Sequence, residues 1–161
     1  MEEWLSYKEV IMISIGSKAP DFTLKDQDKK VVKLSKFRGK KIILSFRPLA
    51  WTPVCHDQMI SLEENVDHFE KHNTIAFGLG VDSVPSNKAW ADSMGIRRTR
   101  LLSDFWPHGE VAKVYGMFRE VDGFSERANI IIDESQKVVF TKVYPTNHLP
   151  DIVELVHFLE H

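Results

Sequence analysis

The sequence predicts an α/β fold built on a mixed central sheet, with helices on both faces and an N-terminal β-hairpin extension. Two patterns carry this expectation. Strand-type apolar runs alternate with helix-type periodic segments through the middle of the chain, which calls for parallel pairing through helical crossovers. Hairpin patterns near the start and near the end then add antiparallel pairs to the same sheet. The order reads ββ, β-α-β-α, β-α, β-β-α, and 161 residues suffice for one such domain with a proper core.

The elements follow in chain order. Asp21-Phe22-Thr23-Leu24 and Val31-Val32-Lys33-Leu34 flank the polar Asp26-Gln27-Asp28-Lys29 and read as a hairpin. Ser35 can cap a short turn carrying Phe37, which Gly39 ends. Lys41 to Phe46 is a buried strand. Met59, Leu62, Val66 and Phe69 recur at i, i+3, i+7 and i+10, so one helix is expected from about Pro53 to Lys71, with Pro53 in its first turn. Thr74 to Val81 is a second buried strand. Pro85 opens a helix carrying Ala89, Trp90 and Met94, and Gly95 stops it. Leu101-Leu102-Ser103 is a short strand, and Pro107 begins a helical turn through Val111 and Val114. Strands at 128–132 and 138–143 flank the turn Asp133 to Lys137. Leu149, Ile152, Val153, Val156 and Leu159 mark a final amphipathic helix.

Globular patterning starts near Gly16. The expected organisation is an arm over residues 1–15 and a single domain over 16–161. Met12 is an alternative start, and an arm packed on the domain or on a partner subunit is the other reading. Apolar residues make up 43% of the chain and aromatics 11%, which argues against disorder. A formal charge of −2, with acids and bases interspersed, makes no case for nucleic acid or an anionic membrane as partner. No apolar stretch approaches the roughly 18 residues of a spanning helix. An acidic N-terminus does not resemble a secretory signal, so a cytoplasmic location is expected.

One cysteine is present, Cys55, at the end of the run Phe46 to Cys55 between a strand and a helix. The amide-rich start of a helix favours thiolate over thiol, and the thiolate is the nucleophile. Pro48 bends the chain and removes a donor, so it can wall one side of a pocket. Thr52 lies one helical turn before Cys55. Its hydroxyl can approach the sulfur, cap the helix through the amide of Val54 or Cys55, or do both. Taken alone, a lone cysteine is as readily a buried apolar filler.

Pro48, Thr52 and Cys55 stand at the spacing P-x-x-x-T-x-x-C within a strand–loop–helix context. This resembles the peroxidatic motif of the peroxiredoxins (the AhpC/TSA superfamily). Gly16 to Leu24 is similar to that family's usual opening, and Arg127-Ala128-Asn129-Ile130-Ile131-Ile132-Asp133 to its active-site arginine strand. Leu101 to Gly109 resembles the one-cysteine, AhpE-like subgroup. The resemblance runs from Gly16 to the C-terminus and implies a thioredoxin-like core, with Thr52-Pro53-Val54-Cys55 in the place of a C-x-x-C.

The resemblance also implies roles. Cys55 is the peroxidatic cysteine, Thr52 bonds the peroxide, Pro48 shields the site, and Arg127 favours the thiolate and polarises the O–O bond. Val54 and Trp51 join them in binding substrate. The implied activity is reduction of hydrogen peroxide and organic hydroperoxides through a Cys55 sulfenic acid. An external thiol, thioredoxin-like, glutaredoxin-like or of low molecular weight, then recycles it. No cofactor is expected, and a homodimer is. Two positions depart from the family pattern: Arg47 replaces an aromatic, and Gln58 replaces a frequent glutamate. Arg47 either points to solvent or adds a second cation near the sulfur.

A redox sensor or holdase-like protein on the same fold is the main alternative. A cysteine hydrolase using His56 is geometrically poor, because adjacent helix residues point apart. No metal site is expected: among seven histidines only His68 and His72 are suitably spaced, with Glu64 at i−4, and such pairs are mostly solvated face. Trp51 and Trp106 are candidates to wall the active site.

Overall fold

The computed structural model describes residues 12–161, so residues 1–11 of the expected arm, and the question of a start at Met12, lie outside the described residues. The hairpin forms as β1 (Thr23–Lys25) and β2 (Val31–Lys33). Its turn is closed by Asp26, whose Oδ1 accepts the amides of Asp28 and Lys30 at 2.8 and 3.0 Å. β3 (Lys41–Phe46) is an interior strand, parallel to β4 (Thr74–Gly80) and antiparallel to β8 (Arg127–Ile132). The β3–β4 crossover carries α1 (Pro53–Glu64) and α2 (Val66–Lys71). The next crossover carries α3 (Val84–Met94) to β5 (Arg100–Ser103), parallel to β4. β9 (Val138–Tyr144) closes the far edge against β8, and α5 (Ile152–Glu160) follows it. The seven-stranded order is β2-β1-β5-β4-β3-β8-β9, with β1 antiparallel to β5. Sheet and helices are therefore mixed as expected.

The period-2 geometry of the strands sorts side chains to two cores. Ile42, Leu44 and Phe46 of β3 and Ala128, Ile130 and Ile132 of β8 face one cluster, which includes Val111, Ala112 and Tyr115 from α4 (Glu110–Val114) and its end. Ile43 and Ile131 face the other, formed by residues of α1, α2, α3 and α5 such as Met59, Leu62, Phe69, Trp90 and Leu155. Ser45, Arg127 and Asn129 have the parity of this second face. That parity places them beneath α1.

Four local expectations are corrected. The expected 53–71 helix breaks at Asn65. The Asn65 side chain donates to Ser61 O at 2.7 Å, taking the carbonyl its own amide would use, and the amide turns to Leu62 O at 3.1 Å. Ser35 does not cap the Leu34–Phe37 turn; Asp21 Oδ1 accepts the Ser35 amide instead, at 2.9 Å. The segment after Pro107 turns helical only at Glu110, because Asp104 reaches forward to cap α4 through the amides of Val111 and Ala112, both at 3.0 Å. Leu149 precedes the last helix, whose start is capped by Asp151 through the Val153 amide at 2.9 Å. A small hairpin, β6 (Phe118–Arg119) with β7 (Phe124–Ser125), was not foreseen.

Candidate active site

Cys55 is the third residue of α1, after Pro53 and Val54, and its side chain is wholly enclosed at 0% exposure. The loop from β3 into α1 is braced at each step. The Ala50 amide donates to Asp82 Oδ2 at 2.8 Å, the Thr52 hydroxyl to Leu49 O at 2.8 Å, and Trp51 Nε1 to Ser86 Oγ at 3.1 Å. Trp51 sits at φ +67°, a conformation that bulky residues rarely adopt and that these bonds hold in place.

Arg127, at the start of β8, is the cation that meets the sulfur. Its Nη1 lies 3.2 Å from Cys55 Sγ and 2.8 Å from Gln58 Oε1. Its other edge is gripped by Thr146 O, 3.1 Å from Nε and 2.7 Å from Nη2. These bonds fix the guanidinium plane and leave one Nη2 hydrogen without a partner among the described residues. Gln58 is itself oriented: its Nε2 donates to Ser45 Oγ at 2.7 Å and to Phe46 O at 3.1 Å, and Ser45 donates to Asn129 Oδ1 at 2.7 Å. Gln58 therefore orients the arginine as a glutamate would, but as a neutral acceptor. The guanidinium charge remains directed at the sulfur.

Arg47 turns into the protein. It does not reach solvent: it is 0% exposed, with Nη1 3.1 Å from Asp82 Oδ2, Nη2 2.8 Å from Asn87 Oδ1, and the guanidinium 4.8 Å from the Trp90 ring centre. Burial pushes its pKa below the usual arginine range, while the charges of Asp82 and Cys55 pull it up. Arg47 is thus a second cation on the same side of the sheet, largely neutralised by Asp82. Gly80 makes room for it, since a Cβ there would collide with Nη1 of Arg47.

Cys55, Arg127 and Gln58 come together. Pro48 is buried in the loop and Val54 is half-buried beside Cys55. Thr52 does not cap α1; its hydroxyl is engaged by Leu49 O. Trp51 is 56% exposed and borders, with Thr52, Pro53, His56, Trp90 and Ser93, a pocket of ≈ 230 Å³ at the head of α1. Trp106 is 81% exposed and lines a different pocket, between the β1–β2 hairpin and the start of α3. Ser45, Asn129, Asp82, Asn87 and the Thr146 carbonyl were not anticipated. A signal existed for two of them: Ser45 and Asn129 are polar residues inside apolar strands, and a buried polar group needs a partner.

A mixed sheet carrying a helix-start cysteine against a buried, fixed guanidinium defines a thiol-dependent peroxidase with a single reacting sulfur. Comparison with known proteins agrees. The family model described as "AhpC/TSA family" matches residues 15–141. The chain is 37% identical over 141 residues to alkyl hydroperoxide reductase E of Mycobacterium tuberculosis, covering 87% of this chain and 92% of that protein. It is 33% identical over 153 residues to a peroxiredoxin of Thermoplasma volcanium, covering 92% of this chain and 74% of that one. Among solved structures, Enterococcus faecalis AhpC superposes with a TM-score of 0.85 at 26% identity, covering 92% of each chain. The reduced 2-Cys peroxiredoxin of Plasmodium vivax does so with a TM-score of 0.84 at 27% identity, covering 92% of this chain and 81% of its own. The chain belongs to the AhpC/TSA family of peroxiredoxins.

Proposed function

We propose that the protein reduces hydrogen peroxide and organic hydroperoxides through Cys55 and is recycled by an outside thiol. The observation that carries this reading is the 3.2 Å approach of Arg127 Nη1 to Cys55 Sγ. In the first step the thiolate attacks one peroxide oxygen along the O–O axis. The S–O bond forms, the O–O bond breaks, and the leaving alkoxide or hydroxide takes a proton to become alcohol or water. Cys55 is left as a sulfenic acid. Arg127 supplies donors where negative charge passes from sulfur to the leaving oxygen, and its unpartnered Nη2 hydrogen is available to the peroxide. Pro48, Val54, Trp51 and Thr52 shape the approach.

The second step needs two equivalents of thiol from elsewhere. One condenses with the sulfenic acid, forming a mixed disulfide and water. The other attacks that disulfide, regenerating Cys55 and releasing an oxidised dithiol pair. A thioredoxin-like or glutaredoxin-like protein, or a small thiol, fits this role. A cytoplasmic location and a homodimer complete the reading. The first is supported by the lone thiol, which suits a reducing compartment, and the second by exposed Phe105 and Trp106; sedimentation of the reduced protein tests the dimer.

Stopped-flow tryptophan fluorescence after mixing reduced protein with hydrogen peroxide tests the chemistry. Fast oxidation, stoichiometric with peroxide and absent in Cys55→Ser, is the expected result. Oxidation at the rate of an ordinary free thiol would transfer the assignment to a redox sensor.

A further inference from the structure

Away from the cysteine, α2 and α5 bring together His68, His72 and Glu160, each with one ligand atom within 4.8 Å of the others. The i, i+4 spacing on α2 stacks the two imidazoles with ring centres 4.8 Å apart and planes tilted by 44°. The third member is not Glu64, the carboxylate considered from the sequence, but Glu160 in the last turn of α5. A separate observation bears on the same point. His68 Nε2 is withdrawn from solvent and has no hydrogen-bond partner among the described residues: Glu160 Oε1 stands 3.3 Å away, but the pair is not aligned as a hydrogen bond. A buried ring nitrogen facing a carboxylate and a second imidazole, and bonded to neither, is the arrangement a metal ion satisfies.

We propose that His68, His72 and Glu160 bind a divalent first-row transition metal ion of the zinc class. Two imidazoles and a carboxylate suit zinc, nickel or copper; calcium and magnesium prefer oxygen alone. Three protein ligands leave a fourth, tetrahedral position for water. Bonds of roughly 2.0–2.2 Å would set the ligand atoms about 3.4 Å apart, a modest contraction for side chains at a partly open surface. Glu160 is exposed and His72 half-buried, so an ion can enter from solvent. Bound there, it ties the end of α5 to α2 and uses no residue of the cysteine site.

The test uses the untagged full chain carrying Cys55→Ser, so that the thiol does not compete, titrated with zinc by calorimetry. The expected result is a saturable one-to-one isotherm, weakened at least about tenfold in His72→Gln and in Glu160→Gln and unchanged in Glu64→Gln and His157→Gln. Zinc also raises the melting temperature of the parent but not of His72→Gln, and circular dichroism confirms that the variants are folded. Absence of saturable binding, or binding indifferent to His72→Gln and Glu160→Gln, overturns the proposal. So does binding lost only in His157→Gln, which would place the ion on the stacked His157–His161 pair, ring centres 4.4 Å apart.

Discussion

Arg127 and Arg47 show how two chemically identical side chains acquire different tasks. Both are buried on the α1 side of the sheet, one at the head of β8 and one just past β3. Asp82 neutralises Arg47 at 3.1 Å, whereas Arg127 meets, among the described residues, only neutral acceptors and the sulfur. Replacing Arg127 with alanine removes a charged donor from the developing oxyanion and should slow sulfenate formation by about 10²–10³-fold. Stopped-flow fluorescence reads this directly; an unchanged rate would exclude Arg127 from the chemistry. Asp82→Ala leaves the Arg47 charge buried and unpaired and frees the Ala50 amide. It should destabilise the protein by about 3–5 kcal/mol, a loss that the added change Arg47→Met recovers in part. Urea unfolding of the single and double variants checks both halves of that expectation. At this scale the cysteine and its arginine were legible through the family motif. The fate of Arg47 was not, although its parity with Ile43 and Ser45 pointed inward.

Elements were legible where their signals are local, and obscured where one signal spans two structures. The stripe Met59, Leu62, Val66, Phe69 runs in phase through the break at Asn65, so periodicity alone reads a single helix. Only the competition of the Asn65 side chain for Ser61 O ends it. The join between α3 and β5 depends on a contact from α1. Glu63 accepts the amides of Arg97, Arg98 and Thr99, with shortest distances of 2.8, 3.1 and 2.8 Å. Burial acts to raise its pKa, but these backbone donors outweigh it and hold the carboxyl below its ordinary 4.5. Folding therefore favours the ionised form. The stabilisation is full above 4.5 and is lost as pH falls through the lower folded value. Glu63→Gln should lower the melting temperature at neutral pH, with the gap to the parent closing in acid; thermal melts across the acid range measure it. A gap that widened in acid would refute this account of the join.

For the molecule as a whole, the count of cysteines sets the cycle. With one cysteine in 161 residues, reduced protein without added thiol should consume one equivalent of peroxide in a rapid burst with no catalytic turnover after it. Further peroxide should carry Cys55 to the sulfinic state, seen by mass spectrometry as a gain of two oxygens. A small thiol should convert that single burst into steady turnover. What the sequence determined unaided was the kind and order of the main strands and helices, apart from the break between α1 and α2 and the β6–β7 hairpin, and the place of the sulfur at the head of α1. These follow from hydrophobic period, turn chemistry and short-range spacing, all contained within a few neighbouring residues. The resemblance pointed to Arg127, but tertiary structure alone brought its guanidinium to that sulfur and decided that Asp82 turns Arg47 aside, that Sγ lies enclosed, and that Glu160 rather than Glu64 joins the two histidines. Each of these depends on residues far apart in the chain, 72 positions in the case of Cys55 and Arg127. Their meeting is set by how the sheet and its helices pack together, which no short window of sequence contains.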